Sequence, residues 1–213
     1  SDKSKYRILP IGSLSANNRW SAFGIESISG YHPAKLSNYS LVMEEIGWTN
    51  IGLLRMLNVK YIISLEEFNH PLFEMVHSGS LFNNDKYEDA YIYQFNQFIP
   101  RLFFAQKIKT INKINNLDEI FIENFNPILH SIIEEEIPKI THDNSAHVQI
   151  LSWTPNKISF ETNVDSTQFL LISEIFYPDG WIMNDMSKIY KVNNLIRGIV
   201  VKPGKKIHVM EFV

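Results

Sequence analysis

Gln168-Phe169-Leu170-Leu171-Ile172-Ser173-Glu174-Ile175-Phe176-Tyr177-Pro178-Asp179-Gly180-Trp181-Ile182-Met183 is the stretch on which the fold turns. Its first half is an apolar run of strand length, the pattern of a buried β-strand, and Glu174 inside it makes it too short and too charged to span a bilayer. Pro178-Asp179-Gly180 is a turn, and Trp181-Ile182-Met183 resumes as a strand. Upstream, Val148 and Ile150 alternate with polar residues, Thr154 to Lys157 turns, and Ile158, Phe160 and Thr162 alternate again, which reads as a hairpin. Downstream, Asn184-Asp185 turns, Lys188 to Val192 and Leu195 to Val201 are strands, and a last strand begins at Lys206 after Pro203-Gly204. Short strands separated by turn residues predict an antiparallel β-sandwich over residues 145–213, cut at its C-terminal end.

Residues 1–144 mix signals and predict an α/β region, so the chain as a whole reads as α+β. Tyr6 to Leu9 is a strand. A helix is expected from Asn38 to a stop at Gly47, and a second from Asn50 through Ile51, Leu54 and Leu57 to Asn58. Val59 to Ile63 is β-branched and aromatic, hence strand. Pro71, with Leu72, Met75 and Val76, predicts a short third helix. Strands are expected at Ala90 to Phe95 and Arg101 to Ile111, and a helix broken by Asn126-Pro127 between Leu117 and Glu136. Pro138 and the polar Thr141 to Ser145 make the domain boundary.

Composition narrows the function. The 213 residues carry a net charge of -3, so no summed basic field holds a polyphosphate backbone, and nucleic acid is not an expected partner. The absence of cysteine removes thiolate metal sites and thiol nucleophiles. No phosphate-cradling loop, nucleophile elbow or metalloprotease helix occurs. His142, Asp143 and His147 are the densest metal-like group, but their spacing does not place two imidazoles on one helix face, and a solvated linker explains them. The adjacent carboxylates Glu44-Glu45, Glu66-Glu67, Glu88-Asp89 and Glu134 to Glu136 diverge on helix and strand alike and read as solvated faces. No catalytic residue, metal or cofactor is assigned.

Two stretches have the chemistry to hold a polar ring. Tyr31, His32 and Lys35 bring an aromatic, an imidazole and an ammonium together on a loop, able to stack on and hydrogen-bond to a sugar. The plainer reading makes Tyr31 and His32 core plugs stiffened by Pro33. Tyr177 and Trp181 flank the Pro178 to Gly180 turn, where an aromatic either stacks on a ligand or packs between sheets.

These stretches also carry a resemblance. Ser27 to Leu36, Leu53 to Ile63, Ala90 to Tyr93, Pro100 to Phe104, Ser173 to Trp181, Asn193 to Gly198 and Val201 to Gly204 occur in the order expected of the YfhO family of bacterial membrane proteins, which this chain resembles over nearly its whole length. The resemblance implies a soluble extracytoplasmic region near the C-terminus of a polytopic protein of the bacterial cell membrane, with its own transmembrane region as partner. Family members are similar to GT-C-type, lipid-linked-sugar glycosyltransferases, and their catalytic carboxylate lies outside the matched stretches. The expected role is therefore that of a non-catalytic accessory domain positioning a cell-envelope glycan, with Asn18, Arg19, Tyr31, His32, Lys35, Tyr177 and Trp181 as candidate ligand-binding residues. The alternatives are a structural or protein-binding domain bracing the membrane helices and, last, a free-standing hydrolase. One departure stands out: the family commonly has Asp-Gly where this chain has Asp185-Met186, which puts a tight glycine-dependent turn in doubt.

Overall fold

The structure is a computed structural model that describes residues 5–31, 36–114, 117–122 and 124–213. The chain is mostly β and divides into two compact units, residues 1–35 with 57–101 and residues 36–56 with 102–213. It crosses between them three times, so the boundary expected near residue 144 falls inside the second unit. The stretch Thr141 to Ser145 is polar because it is a surface loop of that unit. Ser166 Oγ donates to the Thr141 carbonyl at 2.9 Å, and the Asp165 N–H donates to Asp143 Oδ2 at 2.8 Å.

The first unit is a five-stranded sheet. Its strands are β1 (Arg7–Pro10), β2 (Glu26–Ser27), β3 (Val59–Ser64), β4 (Phe73–Asn83) and β5 (Lys86–Phe95), in the order β2-β1-β3-β5-β4. β1 lies parallel to both β2 and β3, which sets Arg7 beside Glu26. The short helix expected at Pro71 to Val76 is instead the start of β4. Leu72, Met75 and Val76 match helical spacing, but pairing with β5 along the whole of β4 overrides it, and Asn84 and Asp85 close the hairpin with φ of 47° and 61°. Ile8, Leu14, Trp20 and Ile63 form one buried cluster of this unit, and Leu81 packs against them.

In the second unit, α1 (Ser37–Glu45) and α2 (Ile51–Met56) precede ten strands. Asn50 caps α2 as expected, its Oδ1 accepting from the Leu53 N–H at 3.0 Å. The strands β6 (Leu102–Phe104), β7 (Ile108–Thr110), β8 (Ser131–Ile133), β9 (His147–Thr154), β10 (Lys157–Val164), β11 (Gln168–Ile175), β12 (Trp181–Met183), β13 (Ile189–Val192), β14 (Ile196–Val201) and β15 (Gly204–Phe212) form two sheets. One is β12-β15-β10-β9 and the other β6-β11-β14-β13-β8-β7. The single strand expected over Arg101 to Ile111 is split into β6 and β7. The broken helix expected over Leu117 to Glu136 is, among the described residues, a 3-10 turn at Leu117–Glu119 and the strand β8. There, Asn126-Pro127 caps a turn rather than kinking a helix.

The opening stretch owes its unbroken hydrophobicity to cover on both faces. Leu170 and Ile172 join a buried cluster with Ile158, Phe160, Met183, Ile199 and Met210, which draws on both sheets. The alternate residue Ser173 turns the other way and donates its hydroxyl to the Met56 carbonyl at the end of α2, at 2.8 Å. Burying each such Leu or Ile contributes about 1.5–3 kcal/mol. The turn after β12 forms without glycine. Met186 adopts φ 58°, its N–H donates to the Met183 carbonyl at 2.9 Å, and Asp185 Oδ1 accepts from the Ser187 N–H at 3.0 Å. Among the described residues, no helix is long and apolar enough to cross a membrane.

Candidate functional site

In the first unit the parallel pairing of β1 and β2 sets Arg7 Nε 3.6 Å from Glu26 Oε2. Glu26 also ion-pairs with Lys5 and with Arg101, a guanidinium only 1% exposed. Arg101 Nη1 donates to Asn58 Oδ1 at 3.3 Å, and Asn58 Nδ2 donates to the Ile99 carbonyl at 2.8 Å, which fixes the guanidinium from behind. Burial pushes the Glu26 carboxyl up. Arg101 first, then Lys5 and Arg7, outweigh that and hold it below the usual glutamate value. Glu26 is thus an ionised hydrogen-bond acceptor at neutral pH and not a proton donor.

The 3-10 turn Arg19–Phe23 delivers Trp20 to the same place. Its ring is in the core, 7% exposed, and its indole N–H is buried with no acceptor among the described residues. Such a donor costs about 1–3 kcal/mol when left unmet. Ser27 and Ser29 sit with hydroxyls 3.3 Å apart. Arg7, Asn18, Trp20, Glu26, Ser27 and Ser29 line a recess of about 450 Å³, within the range that holds small ligands. An aromatic residue, an ionised acceptor and paired hydroxyls suit a compact ring bearing hydroxyl groups.

The residues expected from sequence fall in several places. Asn18 is on the recess wall, but its amide is engaged: Nδ2 donates to the Tyr31 carbonyl at 2.7 Å and Oδ1 accepts from the Tyr31 N–H at 3.0 Å. It clasps the loop rather than offering free groups. Tyr31 is 70% exposed, which rules out the core-plug reading for it. Arg19 turns to the β4–β5 hairpin, donating to the Phe82 carbonyl and, at 3.2 Å, to Asn83 Oδ1. His32 and Lys35 lie outside the described residues.

Tyr177 and Trp181 belong to the second unit. Both rings lie against Phe212, at 6.3 and 5.7 Å between centroids, and Arg197 stacks over Trp181 at 4.1 Å. Gly180 permits this packing, since a Cβ there would lie 2.5 Å from the Phe212 ring. Tyr177, Trp181, Ile182, Met183 and Met186 line a groove of about 210 Å³ whose side chains are mostly apolar, with Ser187 among them. Trp20 and Glu26 were missed from sequence because no spacing links them: strand pairing and the turn at Arg19–Phe23 bring them to one wall.

Elsewhere, Asp143 is tied into its loop, its Oδ1 accepting from the Ser145 N–H at 2.8 Å, and no three metal-ligating side chains cluster among the described residues. The geometry defines a β-rich chain of two units with a polar, single-carboxylate recess in the first. Compared with known proteins, the chain matches no family model, no curated protein and no solved structure.

Proposed function

We propose that this chain is an extracytoplasmic accessory domain of a polytopic, YfhO-like bacterial membrane protein, and that it positions a cell-envelope glycan for a glycosyltransferase centre carried by the membrane region. The observation that carries this reading is the recess that Trp20 lines together with the ionised Glu26 and the hydroxyl residues Ser27 and Ser29. Sugar rings present apolar faces and hydroxyls that donate and accept, which is what that wall complements. In the same reading the two sheets of the second unit are a β-sandwich, the finer form of the β-rich fold, and serve as the rigid base.

Binding of glucose and N-acetylglucosamine oligosaccharides to the purified chain, measured calorimetrically, tests it. Millimolar affinity is expected, weakened about threefold or more by Asn18→Ala through loss of the loop clasp and unchanged by Trp181→Ala. No heat at millimolar ligand refutes it. The second reading, a domain that braces membrane helices or a protein partner, is favoured by the exposed apolar groups beside the other groove: Tyr177, Ile182, Met186 and Phe212 are each at least 40% exposed.

A further inference from the structure

The long hairpin of the first unit has an edge the glycan reading does not use. β4 is the last strand of its sheet, and residues 74–80 and Phe82 are exposed. Exposed edges are commonly blunted by lysine or proline, and β4 has neither in eleven residues. Its one charged residue is Glu74 at the start. It has two other devices, the bulge at Val76 and the Arg19 bond to the Phe82 carbonyl, and they guard only the two ends. Between them no described residue hydrogen-bonds to the edge.

Its register follows from the turn. Asn83 and Lys86 close a two-residue loop and form a hydrogen-bonded pair, so alternation along the ladder turns the N–H and C=O of Ser78 and Ser80 outward. The sequence around them, Val76-His77-Ser78-Gly79-Ser80-Leu81-Phe82, is quasi-palindromic about Gly79. We infer that this edge pairs with the same edge of a second copy of the chain, antiparallel and two-fold symmetric about Gly79. In that register Ser78 of one chain faces Ser80 of the other, twice, through outward-turned backbone groups. Val76 faces Phe82, both exposed, and Gly79 meets its symmetry mate with no side chain between them. Between Val76 and Phe82 the edge carries no carboxylate, lysine or arginine, so no like charges oppose, and the contact is isologous and closed. A contact this short makes a weak dimer.

Sedimentation equilibrium from about 10 μM to about 1 mM is the assay. The average mass is expected to rise from 24.8 kDa toward twice that value. Two surface variants then read the register. Ser78→Lys with Ser80→Lys sets like charges opposite each other and abolishes the rise. Ser78→Lys with Ser80→Glu sets opposite charges together and tightens the dimer about tenfold over wild type. A wild-type mass fixed at 24.8 kDa at about 1 mM overturns the inference, and so does a dimer indifferent to the two variants. The first result would leave the edge to a strand from a different protein.

Discussion

Gly198→Ala probes the six-stranded sheet at its tightest point. Gly198 lies on β14, opposite Leu171 of β11 on one side and Tyr190 of β13 on the other. A Cβ built there would meet Phe169 Cζ at 2.7 Å and Val192 Cγ2 at 2.6 Å, with Phe169 Cε1 closer still. Carbon atoms rest at about 3.5–4.0 Å, so the added methyl must displace two side chains by roughly 1 Å each. Both Phe169 and Val192 are fully buried, so either moves only by displacing its own neighbours. The backbone at Gly198 is not left-handed, so the cost is overpacking alone. We expect about 3 kcal/mol of destabilisation, at the upper end for overpacked cores, and a fall in Tm of about 6–12 °C for a chain of this size. Urea unfolding of wild type, Gly198→Ala, Phe169→Leu and the double variant gives the coupling. Phe169→Leu should recover about 1–2 kcal/mol of the loss in the alanine background. A change within about 0.5 kcal/mol for Gly198→Ala, or strict additivity of the pair, would show that β14 and β11 are not in this register.

Met186→Gly should stabilise the chain by about 0.5 kcal/mol. Relief of a left-handed backbone, worth about 1–2 kcal/mol, is partly offset by the extra freedom of glycine in the unfolded chain, and an unchanged or lower urea midpoint contradicts it. His208 is 5% exposed, stacks on Phe160 and shares a 2.9 Å hydrogen bond between Nε2 and Thr162 Oγ1. Burial lowers its pKa below 6.5, with Lys206 adding to that and Asp185 opposing it. The unfolded chain therefore takes up this proton first. Stability is complete above about pH 6.5, drains as pH falls toward the folded value, and levels off beneath it. His208→Gln should flatten the midpoint between pH 7 and the acid range, and an undiminished slope would assign it to other groups. Glu26→Gln removes the carboxylate facing the buried Arg101 and should cost at least about 2 kcal/mol, measured by the same unfolding; a neutral effect would mean the guanidinium does not depend on it.

The last third of the chain was legible because each strand either alternates or is continuously apolar, and the turns carry Pro, Gly or Asn except Asp165-Ser166-Thr167. Asn193 and Asn194, at φ 49° and 57°, are such a turn. β4 was illegible for a physical reason: residues 74–80 are all exposed, so no alternating burial pattern marks most of the strand. β8 is three residues long and held from outside, by pairing with β7 and β13 and by Asn193, whose Oδ1 accepts from the Ile132 N–H at 2.8 Å; nothing local to Ser131–Ile133 encodes that. For the recess, Asn18 is the sequence-named residue that lines it. The groups that define the recess did not stand out, because Trp20 reads as ordinary core and Glu26 as an ordinary surface carboxylate until Arg7 and Arg101 are brought against it.

The indole N–H signals of the four tryptophans offer the most direct test of the recess. In a titration of the purified chain with glucose and N-acetylglucosamine, followed by nitrogen–proton correlation spectra, the Trp20 signal should shift and saturate as a ring fills the recess that Trp20 lines, while those of Trp48 and Trp153 stay in place. A Trp20 signal that does not move at saturating sugar, or movement confined to Trp181, would contradict the account.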